Sequence, residues 1–132
     1  MRCLIVDDSL RFLDAARALL ERQGIEVIGV ASTSAEALKK ATALRPDVTL
    51  VDIDLGGESG FDVANRLRRD ANGAPVILIS THVEEDYLDL IKASPALGFV
   101  PKSSLSGGAI RDLLDRRGDG GSTDPVTAPR GA

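Results

Sequence analysis

Cysteine, histidine and aromatic residues are scarce in this chain. Its 132 residues include one cysteine, one histidine, one tyrosine, three phenylalanines and no tryptophan. A lone cysteine excludes a disulfide framework and any cysteine zinc cluster. A lone histidine removes the partner that a histidine zinc site needs. The net charge of −4 opposes a broad electrostatic grip on nucleic acid. No apolar run nears the roughly 20 residues of a membrane span. The amino terminus, MRCLIVDDS, passes from a short apolar stretch into two aspartates, unlike a secretory signal. A cytoplasmic protein with no membrane partner is therefore expected. What is present, 43% hydrophobic and 27% charged residues, is the balance of one ordinary domain with room for a core.

Short apolar runs alternate with helical patterns. The runs are Cys3-Leu4-Ile5-Val6, Val27-Ile28-Gly29-Val30, Val48-Thr49-Leu50-Val51, Val76-Ile77-Leu78-Ile79 and Gly98-Phe99-Val100. Runs this short and continuously apolar suit strands covered on both faces. Between them the period is helical. The first helix carries Phe12, Ala16, Leu19 and Leu20 inward and stops at Gly24. The second opens on Thr33-Ser34-Ala35-Glu36, a capping box, and ends before Pro46. A third runs from about Gly60 to Asp70. A fourth starts near Glu84 with Val83, Tyr87, Leu90 and Ile91 on one stripe, and a fifth starts at Ser106 with Leu105 and Ile110 as a hydrophobic staple. Five βα units in series predict a doubly wound α/β domain, because parallel strands need right-handed crossovers. From Gly118 onward GDGGSTDPVTAPRGA has almost nothing to bury, so residues 1–117 are read as the domain and 118–132 as a disordered tail.

In such a sheet, ligands collect at the carboxyl ends of the strands. The residues there are Asp7 and Asp8, Asp52 and Asp54, Ser80 and Thr81, and Lys102. An aspartate alone at a strand end is ordinarily a loop or cap residue. The joint set, spread over the first, third, fourth and fifth strands, points instead to chemistry. Crowded carboxylates raise one another's pKa and call for positive charge among them. Lys102 supplies one charge, and a hard cation with all-oxygen ligands, Mg²⁺, supplies the rest. An aspartate beside that cation and a lysine is a nucleophile for phosphorus. Other residues carry less. Cys3 reads as an inert core residue, and Arg66, Arg68, Arg69, Arg111, Arg116 and Arg117 read as solvated helix faces. Thr81 and His82 border the expected path of water toward a phosphorylated aspartate.

These pieces, LIVDDS, PDVTLVDIDLGGESGFDV, PVILISTH and GFVPKS, resemble the bacterial response-regulator receiver (CheY-like) domain of two-component signalling, over residues 1 to about 117. The resemblance implies a flavodoxin-like (βα)5 sandwich with a parallel five-stranded sheet in the order 2-1-3-4-5. It implies that Asp52 is the phospho-acceptor and Lys102 the phosphate-binding lysine. Ser80 and Phe99 become the switch hydroxyl and switch aromatic. By the same resemblance, Mg²⁺ would be held by Asp7, Asp8, Asp52 and the Asp54 backbone carbonyl. The partners implied are a histidine kinase or phosphotransfer protein and a downstream protein target, with phosphorylation-dependent dimerisation open. Departures from the family pattern are Gly56 and Gly57 after the acceptor, expected to loosen that loop, and Ser103 in place of a proline after Lys102. Phe99 stands for the commoner tyrosine, and Thr81 for a smaller residue.

Two rival readings stand beside it. Asp52-Ile53-Asp54 copies the DxD of haloacid dehalogenase-like phosphatases, with Asp54 as general acid, but here the acidic pair Asp7-Asp8 comes first. A pseudo-receiver, a binding module independent of phosphorylation, would share the fold without needing the complete acidic set. The expectation taken forward is a stand-alone receiver that is not an enzyme, since it catalyses only its own phosphorylation and dephosphorylation. Without a helix-turn-helix pattern, direct nucleic-acid binding is not expected.

Overall fold

Each of the five apolar runs becomes a strand: β1 (Arg2–Val6), β2 (Glu26–Ala31), β3 (Val48–Asp52), β4 (Val76–Ser80) and β5 (Gly98–Pro101). The computed structural model describes residues 1–71, 73–81 and 85–121. All neighbouring strands in this sheet are parallel, and their order is β2-β1-β3-β4-β5. The intervening helices are α1 (Leu10–Arg22), α2 (Ser34–Leu44), α3 (Gly60–Asp70), α4 (Glu85–Ala93) and α5 (Gly107–Gly121). This is the doubly wound order expected from the sequence. A small antiparallel ladder, Asp54–Leu55 against Glu58–Ser59, precedes α3.

Strand alternation sorts the core into two layers. Cys3, Ile5, Val48, Leu50, Ile77, Ile79 and Val100 face α1 and α5, with Leu13, Ala16, Leu20 and Ile110. Leu4, Val6, Val51, Val76 and Leu78 face the other side, with Ala37, Ala41, Val63, Ala64 and Leu67. A fully buried aliphatic side chain contributes about 1.5–3 kcal/mol relative to an exposed one, so the central strands dominate stability.

Helix starts follow their caps. The Ser9, Thr33, Ser59 and Ser106 hydroxyls accept from Phe12, Glu36, Phe61 and Ala109 N–H groups respectively. The capping box at α2 is displaced by one residue. Glu36 Oε1 accepts from the Ser32 N–H at 3.0 Å and the Ser32 hydroxyl at 2.9 Å, not from Thr33. The core face of α1 is also turned by one residue from the expected stripe. Leu13, Ala16 and Leu20 are buried, and Phe12, a 100° step away, lies at the edge. In α4, Leu90 is 49% exposed while Ile91 packs against the core, since adjacent helical residues cannot both face inward.

α5 runs through Gly121. The remainder of the expected tail, from Ser122, lies outside the described residues, as do Val83 of the expected α4 stripe and Glu84, the expected start of that helix.

Gly60 joins α3 to the end of β3. Its N–H donates to the Ile53 carbonyl at 2.8 Å, and a Cβ built there would lie 2.1 Å from the Asp52 carbonyl oxygen. Only a residue without a side chain permits that approach. Gly60→Ala is expected to lower the unfolding free energy by about 2–3 kcal/mol, the cost of forcing atoms into a packed site. Urea denaturation checks this, with an unchanged midpoint as the opposing result.

Candidate functional site

Register assembles the site. β1 and β3 pair Val6 with Val51, so Asp7 and Asp52, next along each strand, arrive side by side. β3 and β4 pair Asp52 with Ile79, leaving Ser80 one step further on. β4 and β5 pair Ser80 with Pro101, which delivers Lys102 to the same edge. Residues far apart in sequence thus meet at the carboxyl end of the sheet.

The carboxylates crowd closely there. One oxygen from each of Asp7, Asp8 and Asp52 lies within 4.8 Å of the others. Asp7 and Asp52 are buried, whereas Asp8 is exposed. Backbone donors hold two of them: Ser9 N–H to Asp7 Oδ1 at 2.8 Å and Asp54 N–H to Asp52 Oδ1 at 3.2 Å. Lys102 Nζ contacts Asp7 Oδ2 at 2.7 Å and Asp52 Oδ2 at 3.4 Å. The first contact is a short ion pair, and the buried Asp7 Oδ2 has no other partner among the described residues. Three convergent oxygen donors, one of them buried with lone-pair capacity to spare, fit a hard divalent cation. The Asp54 carboxylate lies outside this trio.

The trio opens onto a cleft of about 570 Å³ lined by Asp8, Ser9, Phe12, Asp52, Asp54, Gly56, Ser80, Thr81 and Lys102. Burial, then the charge of Asp7, pushes Asp52 up to about 6, with Lys102 opposing. Burial draws the Lys102 ammonium down, but its hydrogen bond to Asp7 and the charges of Asp52 and Asp7 together leave it above its ordinary value.

The expected site residues are placed as follows. Asp7, Asp8, Asp52, Asp54, Ser80, Thr81 and Lys102 share the cleft region, and Ser80 is buried. Phe99 is half-buried against the layer that holds α2 and α3, on the opposite side of β5 from Val100. His82 lies outside the described residues. Cys3 is buried, and desolvation pushes its thiol up to about 12, which keeps it inert. Four arginines read as solvated have partners: Arg66 donates to Ser34 Oγ at 3.2 Å, Arg68 to the Gly73 carbonyl at 3.5 Å, Arg69 to Asp70 at 3.1 Å and Arg111 to the Gln23 carbonyl at 2.8 Å.

The Gly56-Gly57 segment forms the turn of the short hairpin. Gly56 takes φ +60°, and a Cβ there would sit 3.1 Å from Asp8 Oδ2. After Lys102 the chain winds into a single 3₁₀ turn, Lys102–Ser104, closed by the Leu105 N–H to the Lys102 carbonyl at 3.3 Å. Phe12, assigned by periodicity to the core, packs against it while also lining the cleft. Its ring centroid lies 4.4 Å from Lys102 Nζ.

A doubly wound sheet with an acidic trio and a lysine at its strand tips defines a class of phosphoryl-handling α/β domains. Within that class, residues 3–114 match the family described as response regulator receiver domain, and the chain belongs to that family, the phospho-accepting module of two-component signalling. The protein-glutamate methylesterase/protein-glutamine glutaminase of Archaeoglobus fulgidus is 35% identical over 115 residues, which are 86% of this chain and 32% of that protein. The DNA-binding transcriptional activator EvgA of Escherichia coli is 28% identical over 102 residues, 77% of this chain and 50% of that protein. The signal receiver domain of the response regulator NarL from Mycobacterium tuberculosis superposes with a TM-score of 0.76 at 31% identity, covering 87% of this chain and 94% of that one. The chain therefore spans a third to a half of these two curated relatives.

The family match separates the chain from the phosphatase reading of Asp52-Ile53-Asp54. Two further expectations need revision. The expectation of a non-enzyme is corrected by the methylesterase relative, in which a segment like this one is part of an enzyme. The DNA-binding relative likewise withdraws family support from the expectation that nucleic acid is not contacted. Among the described residues, no helix is long and apolar enough to cross a membrane.

The raised value at Asp52 has a stability consequence. A carboxyl with a higher folded than unfolded pKa contributes stability that is complete below its ordinary value of 3.8 and is lost as pH rises through about 6. In metal-free buffer at neutral pH, Asp52→Asn is expected to be more stable than wild type by about 1–2 kcal/mol, with the difference vanishing near pH 4. Urea titrations in chelator at both pH values check this. Equal stabilities at neutral pH would oppose it.

Proposed function

We propose that this chain is a cytoplasmic receiver that takes a phosphoryl group onto Asp52 from a histidine kinase or phosphotransfer protein. The state is then passed to a downstream protein by contact. The observation that carries the reading is the convergence of Asp7, Asp8 and Asp52 oxygens within 4.8 Å, with Lys102 Nζ 2.7 Å from Asp7 and 3.4 Å from Asp52.

An Asp52 carboxylate oxygen attacks phosphorus, forming an O–P bond as the donor's N–P bond breaks, and the departing imidazole takes up a proton. The Asp54 N–H at Asp52 Oδ1 orients the carboxylate so that its other oxygen faces the donor. Lys102 sits where negative charge gathers on the transferring oxygens. Asp7, Asp8, Asp52 and the Asp54 carbonyl would hold Mg²⁺, which when bound supplies electrostatic stabilisation of those oxygens. The Ser80 hydroxyl, one strand over, donates to a phosphoryl oxygen and draws the end of β4 inward. Phe99, half-buried on the neighbouring β5, then repacks. Phosphorylation thereby shifts the population between two surfaces rather than building a new one, and a dimer interface on that surface would respond in the same way.

Incubation with Mg²⁺ and a small acyl phosphate is expected to add one phosphoryl group by intact mass. The addition should be lost in Asp52→Asn; an addition that persists in that variant would sink the reading. Ser80→Ala is expected to accept phosphate while the chemical-shift changes around Phe99 on phosphorylation largely disappear. Wild-type shift changes in Ser80→Ala would count against Ser80 as the switch.

A further inference from the structure

The Lys102 ammonium has a third neighbour that the transfer chemistry above does not use. Its Nζ lies 2.7 Å from Asp7 Oδ2, 3.4 Å from Asp52 Oδ2 and 4.4 Å from the Phe12 ring centroid. An ammonium has three N–H donors and no acceptor. Two carboxylates and one aromatic face thus lie within reach of the ammonium, and the lysine side chain stays only 15% exposed.

Phe12 is well fixed for this contact. It is the third residue of α1, its N–H donates to Ser9 Oγ at 3.3 Å, and its ring packs beside the layer holding Leu13 while also lining the cleft. Leu13, Ala16 and Leu20 make the buried face of that helix, and Phe12, only partly buried at its edge, leaves ring surface for the ammonium.

We infer that Phe12 is a positioning residue for Lys102. The lysine stem is flexible and the ammonium strongly hydrated. The ring face attracts the cation and removes one side from water, keeping the charge over the Asp7–Asp52 pair before any donor arrives. A neutral ring has a further advantage over a third carboxylate. During transfer, Lys102 must exchange a carboxylate for a phosphoryl oxygen, and a ring steadies the ammonium without competing as an anion for it. The kinetic part of this inference rests on Asp52 being the acceptor, whereas the contact itself does not.

The test uses the full chain, with Phe12→Leu to keep apolar bulk and remove the ring, and Phe12→Tyr to keep the ring. In wild type, the Lys102 Hε resonances are expected upfield from the ring current. Phe12→Leu should move them to ordinary lysine positions, and Phe12→Tyr should restore them. With Mg²⁺ and a small acyl phosphate, Phe12→Leu should slow phosphorylation about three- to tenfold and Phe12→Tyr less than about twofold, at urea midpoints close to wild type. Ordinary Lys102 Hε positions in wild type overturn the inference even if Phe12→Leu fails to fold. So does a Phe12→Leu variant with wild-type shifts and rate. If wild type takes up no phosphoryl group, the acceptor reading of Asp52 fails, while the Lys102 shifts still decide the contact.

Discussion

Two buried carboxylates share one ammonium at the centre of this protein, and much of the structure follows from keeping that arrangement possible. Asp7 and Asp52 sit out of water beside each other, which costs free energy unless positive charge comes close. Lys102 provides it from the far side of the sheet. Burial and the charge of Asp7 nevertheless leave Asp52 raised to about 6, and the crowded oxygens suit a further cation.

The backbone around the trio is correspondingly constrained. Gly60 allows α3 to press against the Asp52 carbonyl. The hairpin between β3 and α3 is fastened at both ends. The Asp54 N–H donates to Asp52 Oδ1, and Glu58 reaches across to α2, accepting from the Ser34 N–H at 2.8 Å and from the Ser34 hydroxyl. Arg66 donates to the same hydroxyl. Those contacts join the hairpin that follows the candidate acceptor to the start of α2 and to the middle of α3.

Much of the fold was legible because strand and helix periods differ so clearly here. Continuous apolar runs such as Val76-Ile77-Leu78-Ile79 suit only a strand covered on both faces, and cap residues such as Thr33, Ser59 and Ser106 mark helix starts. Finer placement was not legible. Periodicity names a stripe to within about one residue, which is a 100° rotation. That margin separates Leu13 in the core from Phe12 at its edge, and Ile91 from the exposed Leu90. Likewise, composition signalled two glycines after Leu55 but not that antiparallel pairing would tie them into a hairpin.

By itself, the sequence determined which residues stand at the strand ends, since a short apolar run stops where the first aspartate, serine or lysine appears. It therefore determined the chemistry available: oxygen donors, one hydroxyl and one cation. The tertiary structure decided which of these meet. Parallel register placed Asp7 against Asp52 and carried Lys102 across from β5. Packing of α1 against the sheet turned Phe12 rather than Leu13 toward the ammonium. Such decisions depend on contacts between segments far apart in the chain, and no local pattern of residues encodes a distance across a sheet.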